Sequence, residues 1–126
     1  MIGYGYNKQI QPPAPFVYVT LRHPLTTVEG RDLPAQIDTA ADRTLLPLSL
    51  VQALSLSAIG SIPIGGVGGT VTTMTLYAVQ LGIQQVPPRP FEVVAHPGET
   101  WILLGRDVLN AHRILLDGPQ LVLEMT

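Results

Sequence analysis

Cysteine is absent from the 126-residue chain, which excludes disulfides, a thiol nucleophile and zinc–thiolate sites. Charge is sparse as well. Only 13% of residues are Asp, Glu, Lys or Arg, they balance to a net −2, and no basic cluster forms a nucleic-acid surface. No apolar run approaches the roughly 18 residues that cross a bilayer as a helix. The N-terminus also lacks the basic-then-apolar pattern of a secretory signal. His23, His96 and His112 show no metal-ligand spacing, and no Gly-x-Ser-x-Gly occurs, which argues against zinc enzymes and serine hydrolases. The expectation is a cytoplasmic protein that uses neither metal nor cofactor and touches neither membrane nor nucleic acid.

What is present is an apolar fraction of 46%, enough for one globular domain with a modest core. Twelve glycines and twelve prolines punctuate short Val/Ile/Leu/Thr-rich runs, a pattern of many strands and turns rather than of a helical bundle. Met1 to Pro15 reads as a polar, proline-containing arm outside the domain proper, which spans residues 16–126. Strands are expected at Phe16 to Leu21, continuing through Pro24 to Val28, and after a Gly30-Arg31-Asp32 turn at Leu33 to Ile37. Further strands are expected at Ser61 to Ile64, Thr70 to Ile83, Phe91 to Ala95, Trp101 to Leu104 and in a final hairpin around Asp117-Gly118-Pro119. Leu48 to Leu54, following Pro47, and Asp107 to Arg113 have the spacing of short helices. The fold class is mainly β.

Three segments carry unusual chemistry. The first is Ile37-Asp38-Thr39-Ala40-Ala41-Asp42, which puts a carboxylate between an apolar strand and a small-residue turn. Burial there is costly unless the group is hydrogen-bonded or shares a proton, although an Asp that merely closes a turn fits equally well. The second is Gly65-Gly66-Val67-Gly68-Gly69, a hairpin tip whose backbone can approach a ligand closely. No Lys-Ser/Thr follows it, so it is not a phosphate loop. A plain flexible turn is the simpler account of that run in isolation. The third is Trp101-Ile102-Leu103-Leu104-Gly105-Arg106-Asp107. It reads as a buried strand with Asp107 capping a helix, and its Arg106 needs an acidic partner, for which Asp42 is available.

In this order the three segments resemble the retropepsins, the aspartic protease family that includes the retroviral proteases, over roughly His23 to the C-terminus. The resemblance implies a closed β-barrel with a glycine-rich flap and one or two short helices. It implies that Asp38 is the catalytic aspartate and that Thr39 bonds across to a second subunit. Ala40, Ala41 and Asp42 would line the substrate cleft; Gly65 to Gly69 would be the flap that closes over it, with Gly65, Gly66 and Val67 binding the substrate. Leu45, Ile64, Trp101 and Leu103 would wall the side-chain pockets, and Arg106 would support the site by pairing with Asp42. Arg22 or His23 of the partner chain would reach the same carboxylate. The sequence departs from the family at Ala40, where the family has glycine.

The chemistry the resemblance implies needs two carboxylates sharing a proton, for which aspartic proteases are themselves the reference case. One chain offers a single suitable Asp, so a homodimer acting on a polypeptide is the expectation. A catalytically weak or inactive dimerisation or peptide-binding module on the same fold is the alternative.

Overall fold

The computed structural model describes residues 2–84 and 86–126; Met1 of the expected arm and Gln85 of the expected domain lie outside them. In chain order the elements are β1 (Ile2–Gly5), β2 (Phe16–Arg22), β3 (Glu29–Ile37), β4 (Leu45–Pro47), α1 (Leu48–Ala53), β5 (Ala58–Gly65), β6 (Val71–Ile83), β7 (Arg89–His96), β8 (Ile102–Leu104), α2 (Arg106–Leu109), β9 (Ile114–Asp117) and β10 (Val122–Met125). Strands β2-β3-β8-β4-β7-β6 are hydrogen-bonded in that order, and an antiparallel β2–β6 pairing closes the ring into a barrel. The mainly β, barrel-forming expectation holds. β5 pairs only along β6, so the β5–β6 hairpin extends outside the ring.

Inside the barrel sit the alternate residues of each strand. Val17, Val19 and Leu21 of β2 face Val79, Leu81 and Ile83 of β6, all at most 3% exposed. Leu46, Leu104 and Val93 fill the middle, and the short α2 closes one end with Val108 and Leu109. A fully buried Leu or Val contributes about 1.5–3 kcal/mol relative to the exposed side chain, so this period-two pattern holds the ring together. A second, three-stranded sheet runs β1-β10-β9, with Ile2 opposite Met125 and Val122 opposite Asp117. Part of the proline-containing N-terminal stretch is therefore a strand of this sheet. The rest forms a loop closed by the Asn7–Ala14 bridge, with Asn7 N–H to Ala14 O at 2.8 Å.

Several local expectations are revised. The segment after His23 is not a strand: residues 23–28 form the β2–β3 connection, closed by the His23 N–H to Val28 O bond. Gly30-Arg31-Asp32 is not the turn but part of β3; Asp32, at φ 53°, sits where the β2–β3 register shifts, so the turn-forming residues serve a bulge inside a longer strand. β4 is too short to show a period. The second helix is shorter than the Asp107–Arg113 reading, and Gly105, not Asp107, occupies its N-cap.

Asp107 is used elsewhere. Its carboxylate accepts the Thr44 hydroxyl at 2.8 Å and the Thr44 N–H at 3.1 Å, and the same hydroxyl oxygen accepts the Gly105 N–H at 3.1 Å. Thr44 is fully buried. A Cβ on Gly105 would lie 2.6 Å from the backbone carbon of Arg43, so this glycine is required by close approach of two chains, not by its backbone angles. The other notable buried hydroxyl, on Tyr4, has no hydrogen-bond partner among the described residues, and burial raises the pKa of that phenol.

These two hydroxyls predict opposite signs. Thr44→Val strips a buried N–H and a carboxylate of their partner and lowers stability by about 1–3 kcal/mol. Tyr4→Phe removes an unsatisfied buried group and leaves stability unchanged or raised by up to about 1 kcal/mol. Urea denaturation midpoints at constant slope measure both; equal losses in the two variants would contradict the assignment.

Candidate active site

Asp38 directly follows β3. The Asp38 N–H donates to the Leu104 carbonyl at 3.0 Å, which carries the β3–β8 ladder one residue past the end of the strand. The chain then folds back on itself. The Asp38 carboxylate accepts the Ala40 N–H at 3.2 Å, and the Asp38 carbonyl accepts the Ala41 N–H at 3.2 Å. Asp38 does close a turn, then, but with one oxygen. Its other carboxylate oxygen has no hydrogen-bond partner among the described residues, and Asp38 is only partly buried.

The turn is anchored from the α2 side. The Arg106 N–H donates to the Ala41 carbonyl at 2.9 Å, and the Arg106 guanidinium donates to the Thr39 carbonyl at 2.8 Å. The expected Arg106–Asp42 ion pair does not form among the described residues, and Asp42 is exposed. The physical reason is local: the tight turn leaves the Thr39 and Ala41 carbonyls without partners of their own, and a multi-donor guanidinium satisfies one while its backbone satisfies the other. Arg22 is likewise engaged within the chain, at 3.4 Å from Glu29, which also binds Arg31 at 2.8 Å. The His23 ring accepts the Leu25 N–H at 3.0 Å.

Ala40 is exposed and is not among the residues with positive φ. Its backbone is one that any L-residue adopts, so the methyl group in place of glycine carries no conformational strain. The Thr39 hydroxyl makes no hydrogen bond within the described residues, and Thr39 is exposed beside Asp38.

Leu45 on β4 pairs directly with Leu103 on β8, and both are half-buried. Leu103 in turn lies beside Gln36, two residues before Asp38. Asp38, Leu45 and Leu103 are thus brought together on one side of the barrel wall. Trp101 extends the same side and stacks edge-on against Phe16, ring centroids 5.1 Å apart; Phe16 escaped the sequence reading because nothing in the local pattern ties it to a residue so far along the chain.

Ile64, Gly65, Gly66 and Val67 are not brought to this group by any hydrogen bond. They form the end of the β5–β6 hairpin, whose tip bonds to itself through Gly66 N–H to Thr70 O at 2.7 Å. Val67 is fully exposed. Of the tip glycines, Gly68 and Gly69 have positive φ (83° and 79°), whereas Gly66 has an ordinary extended backbone. Among the described residues no cluster of His, Asp or Glu is placed to hold a metal ion, and no helix is long and apolar enough to cross a membrane.

The architecture has known counterparts. EIAV protease complexed with the inhibitor HBY-793 superposes with a TM-score of 0.62 at 21% identity, over 86% of this chain and 93% of that one. The retroviral protease-like domain of Ddi1 from Leishmania major superposes with a TM-score of 0.50 at 15% identity, over 88% of each chain. Identities this low speak to the fold alone. No match is found among curated proteins. The family described as aspartyl protease matches residues 26–108, a span that holds Asp38, its turn, the hairpin and the Gly105-Arg106-Asp107 anchor. That span is more than half of the chain, which therefore belongs to the aspartyl protease family and has its retropepsin-like fold.

Proposed function

We propose that the chain is an aspartic endopeptidase that works as a two-fold homodimer, with one Asp38 from each copy meeting on the axis. The observation that carries this reading is the Asp38 turn itself: an aspartate whose backbone is hydrogen-bonded on both sides, with one carboxylate oxygen engaged and the other without a partner among the described residues.

The other aspartates offer no second catalytic carboxylate. Asp107 is committed to Thr44, Asp117 accepts the Gln120 N–H in the final hairpin turn, and Asp32 lies six residues back along β3. Asp42 is exposed and suits hydrogen bonding to substrate backbone. A second copy supplies what is missing. The unpaired Thr39 hydroxyl is free to bond across the axis, and β9 presents an open edge with exposed Leu115 and Leu116 that a partner would cover.

In such a dimer one Asp38 carboxylate takes a proton from a water as its oxygen attacks the peptide carbonyl carbon. The other Asp38, protonated, donates to the carbonyl oxygen. The tetrahedral diol then collapses: the protonated carboxyl gives its proton to the nitrogen as the C–N bond breaks, the other carboxylate takes a proton from a diol hydroxyl as the carbonyl re-forms, and the pair again holds one proton. Leu45 and Leu103 beside Asp38 supply apolar walls, which favours large hydrophobic side chains at the scissile bond. The β5–β6 hairpin serves as the flap. Its exposed tip and left-handed Gly68 and Gly69 suit a segment that closes over bound peptide.

Three outcomes are expected. Asp38→Asn abolishes peptide cleavage while the dimer, seen by analytical ultracentrifugation, persists; cleavage at the parental rate would refute the assignment. Specific activity falls as the protein is diluted through its dimer dissociation constant, and a fully active monomer would contradict the shared site. In the flap, Gly68→Val with Gly69→Val places β-branched residues at positive φ, at roughly 1–2 kcal/mol each. Turnover then drops at least about tenfold, as the lost closure is worth more than about 1.4 kcal/mol. Gly66→Val, whose Cβ meets only the Thr70 oxygen at 3.7 Å, retains activity. Equal rates in both flap variants would make the run a passive turn.

A further inference from the structure

A groove of about 680 Å³ lies away from Asp38 itself. Its floor is Phe16, Tyr18, Pro34 and Trp101, and its far wall is the segment 5–9. Strand alternation connects it to the catalytic turn. Ala35 and Ile37 point into the barrel core, so Pro34 and Gln36 project from the opposite face of β3, and the two-residue period carries that face on to Asp38. Cross-strand neighbours share a face: Phe16 lies opposite Gln36 on one side, Leu103 on the other, and Trp101 is two residues before Leu103. Phe16 is 4% exposed yet does not belong to the core cluster, because Trp101 covers it on this outer face. One continuous surface therefore runs from Asp38 past Leu103 to the aromatic groove. From Asp38 to Pro34 it spans four residues of strand, ~13 Å, the reach of about four residues of an extended peptide.

The groove also has a distinct chemistry. Lys8 is the one formally charged residue in its lining; no carboxylate is there, and Lys8 forms no ion pair among the described residues. Its wall and much of its floor, residues 5–9 with Phe16 and Tyr18, precede the span 26–108 shared with the family.

We infer that this groove is a specificity site that binds an aromatic side chain with an adjacent acidic residue, about four residues away from the scissile bond of a peptide substrate. The ring packs against Tyr18 and Trp101, which Phe16 backs from beneath, and the carboxylate faces Lys8. Aromatic contacts of this kind favour offset or edge-on geometry, which the Phe16–Trp101 pair already displays. The inference rests on the proposal that peptides are bound across Asp38.

Trp101 is the only tryptophan of the chain, so its emission reports occupancy of the groove without any need for catalysis. The test uses full-length Asp38→Asn protein titrated with peptides built round a central Leu-Leu bond. The peptides carry Glu-Phe, Lys-Phe or Ala-Ala about four residues to either side of that bond. The expected result is a shift of Trp101 emission with the Glu-Phe peptide and an affinity about tenfold above that for Ala-Ala. Tyr18→Ala, at a half-exposed position that the fold tolerates, removes most of that preference. Lys8→Glu abolishes the advantage of Glu-Phe over Lys-Phe. Equal affinity for all three peptides, or unchanged preference in both variants, overturns the inference. Cleavage by the parent protein is measured in parallel. Aromatic preference in binding without cleavage would keep the groove and discard the protease reading; cleavage without that preference would do the reverse.

Discussion

The Thr44 hydroxyl, donating to the Asp107 carboxylate while accepting the Gly105 N–H, ties together two stretches more than sixty residues apart in sequence, and the geometry of the Asp38 turn depends on that tie. Without it nothing specifies how closely the loop after Asp38 approaches the turn into α2. With it, the backbones at Arg43 and Gly105 come so near that no Cβ fits between them. Arg106 is then delivered to the underside of the Asp38 turn, where its N–H and guanidinium take up two carbonyls the turn cannot satisfy. A fully buried hydroxyl with both its donor and acceptor roles filled is a strong constraint, because each lost bond leaves a desolvated polar group.

The barrel wall at β2-β3-β8 has two faces with different tasks. The inner face carries Val17, Ala35, Ile37, Ile102 and Leu104 and is closed to solvent. The outer face carries Asp38, Leu103, Trp101 and Phe16. Because successive residues alternate faces, packing on one side dictates placement on the other: a one-residue slip of β3 against β8 would turn Asp38 into the core and Ile37 out of it. The parallel pairing of Ala35, Gln36 and Ile37 with Ile102, Leu103 and Leu104 is thus at once part of the barrel core and the mount of the candidate site. Only the tip of the β5–β6 hairpin stands apart from this packing: it is exposed and hydrogen-bonded to itself, while the far end of β6 is part of the barrel wall.

Much of the candidate site was legible in the chain because its parts are local. An Asp after an apolar strand and before small residues, a glycine-rich run between strands, and a Leu-Leu-Gly-Arg-Asp segment each announce themselves within a few residues, and the family resemblance puts them in one order. The closure of the barrel was implied only by the family resemblance; the apolar runs of β2 and β6 announce strands, and their pairing across about sixty residues is a tertiary event. What the sequence left undecided were the partners. Arg106 alone calls for an acceptor, and Asp42 was an available carboxylate, but turn carbonyls without partners are a property of the folded backbone, which no residue letter records. Asp107 reads as a helix cap from its neighbours and becomes an anchor only once Thr44 is buried beside it. Four glycines look alike in the hairpin tip; only the turn's geometry shows that Gly68 and Gly69 need left-handed angles and Gly66 does not. The sequence by itself determined which residues could do chemistry and which strands would bury their alternate side chains, since both follow from contacts within a few positions. Tertiary structure alone decided who meets whom across the barrel, as with Thr44 and Asp107 or Phe16 and Trp101, because such pairings depend on strand order and register, and these emerge only when distant stretches compete for the same buried space.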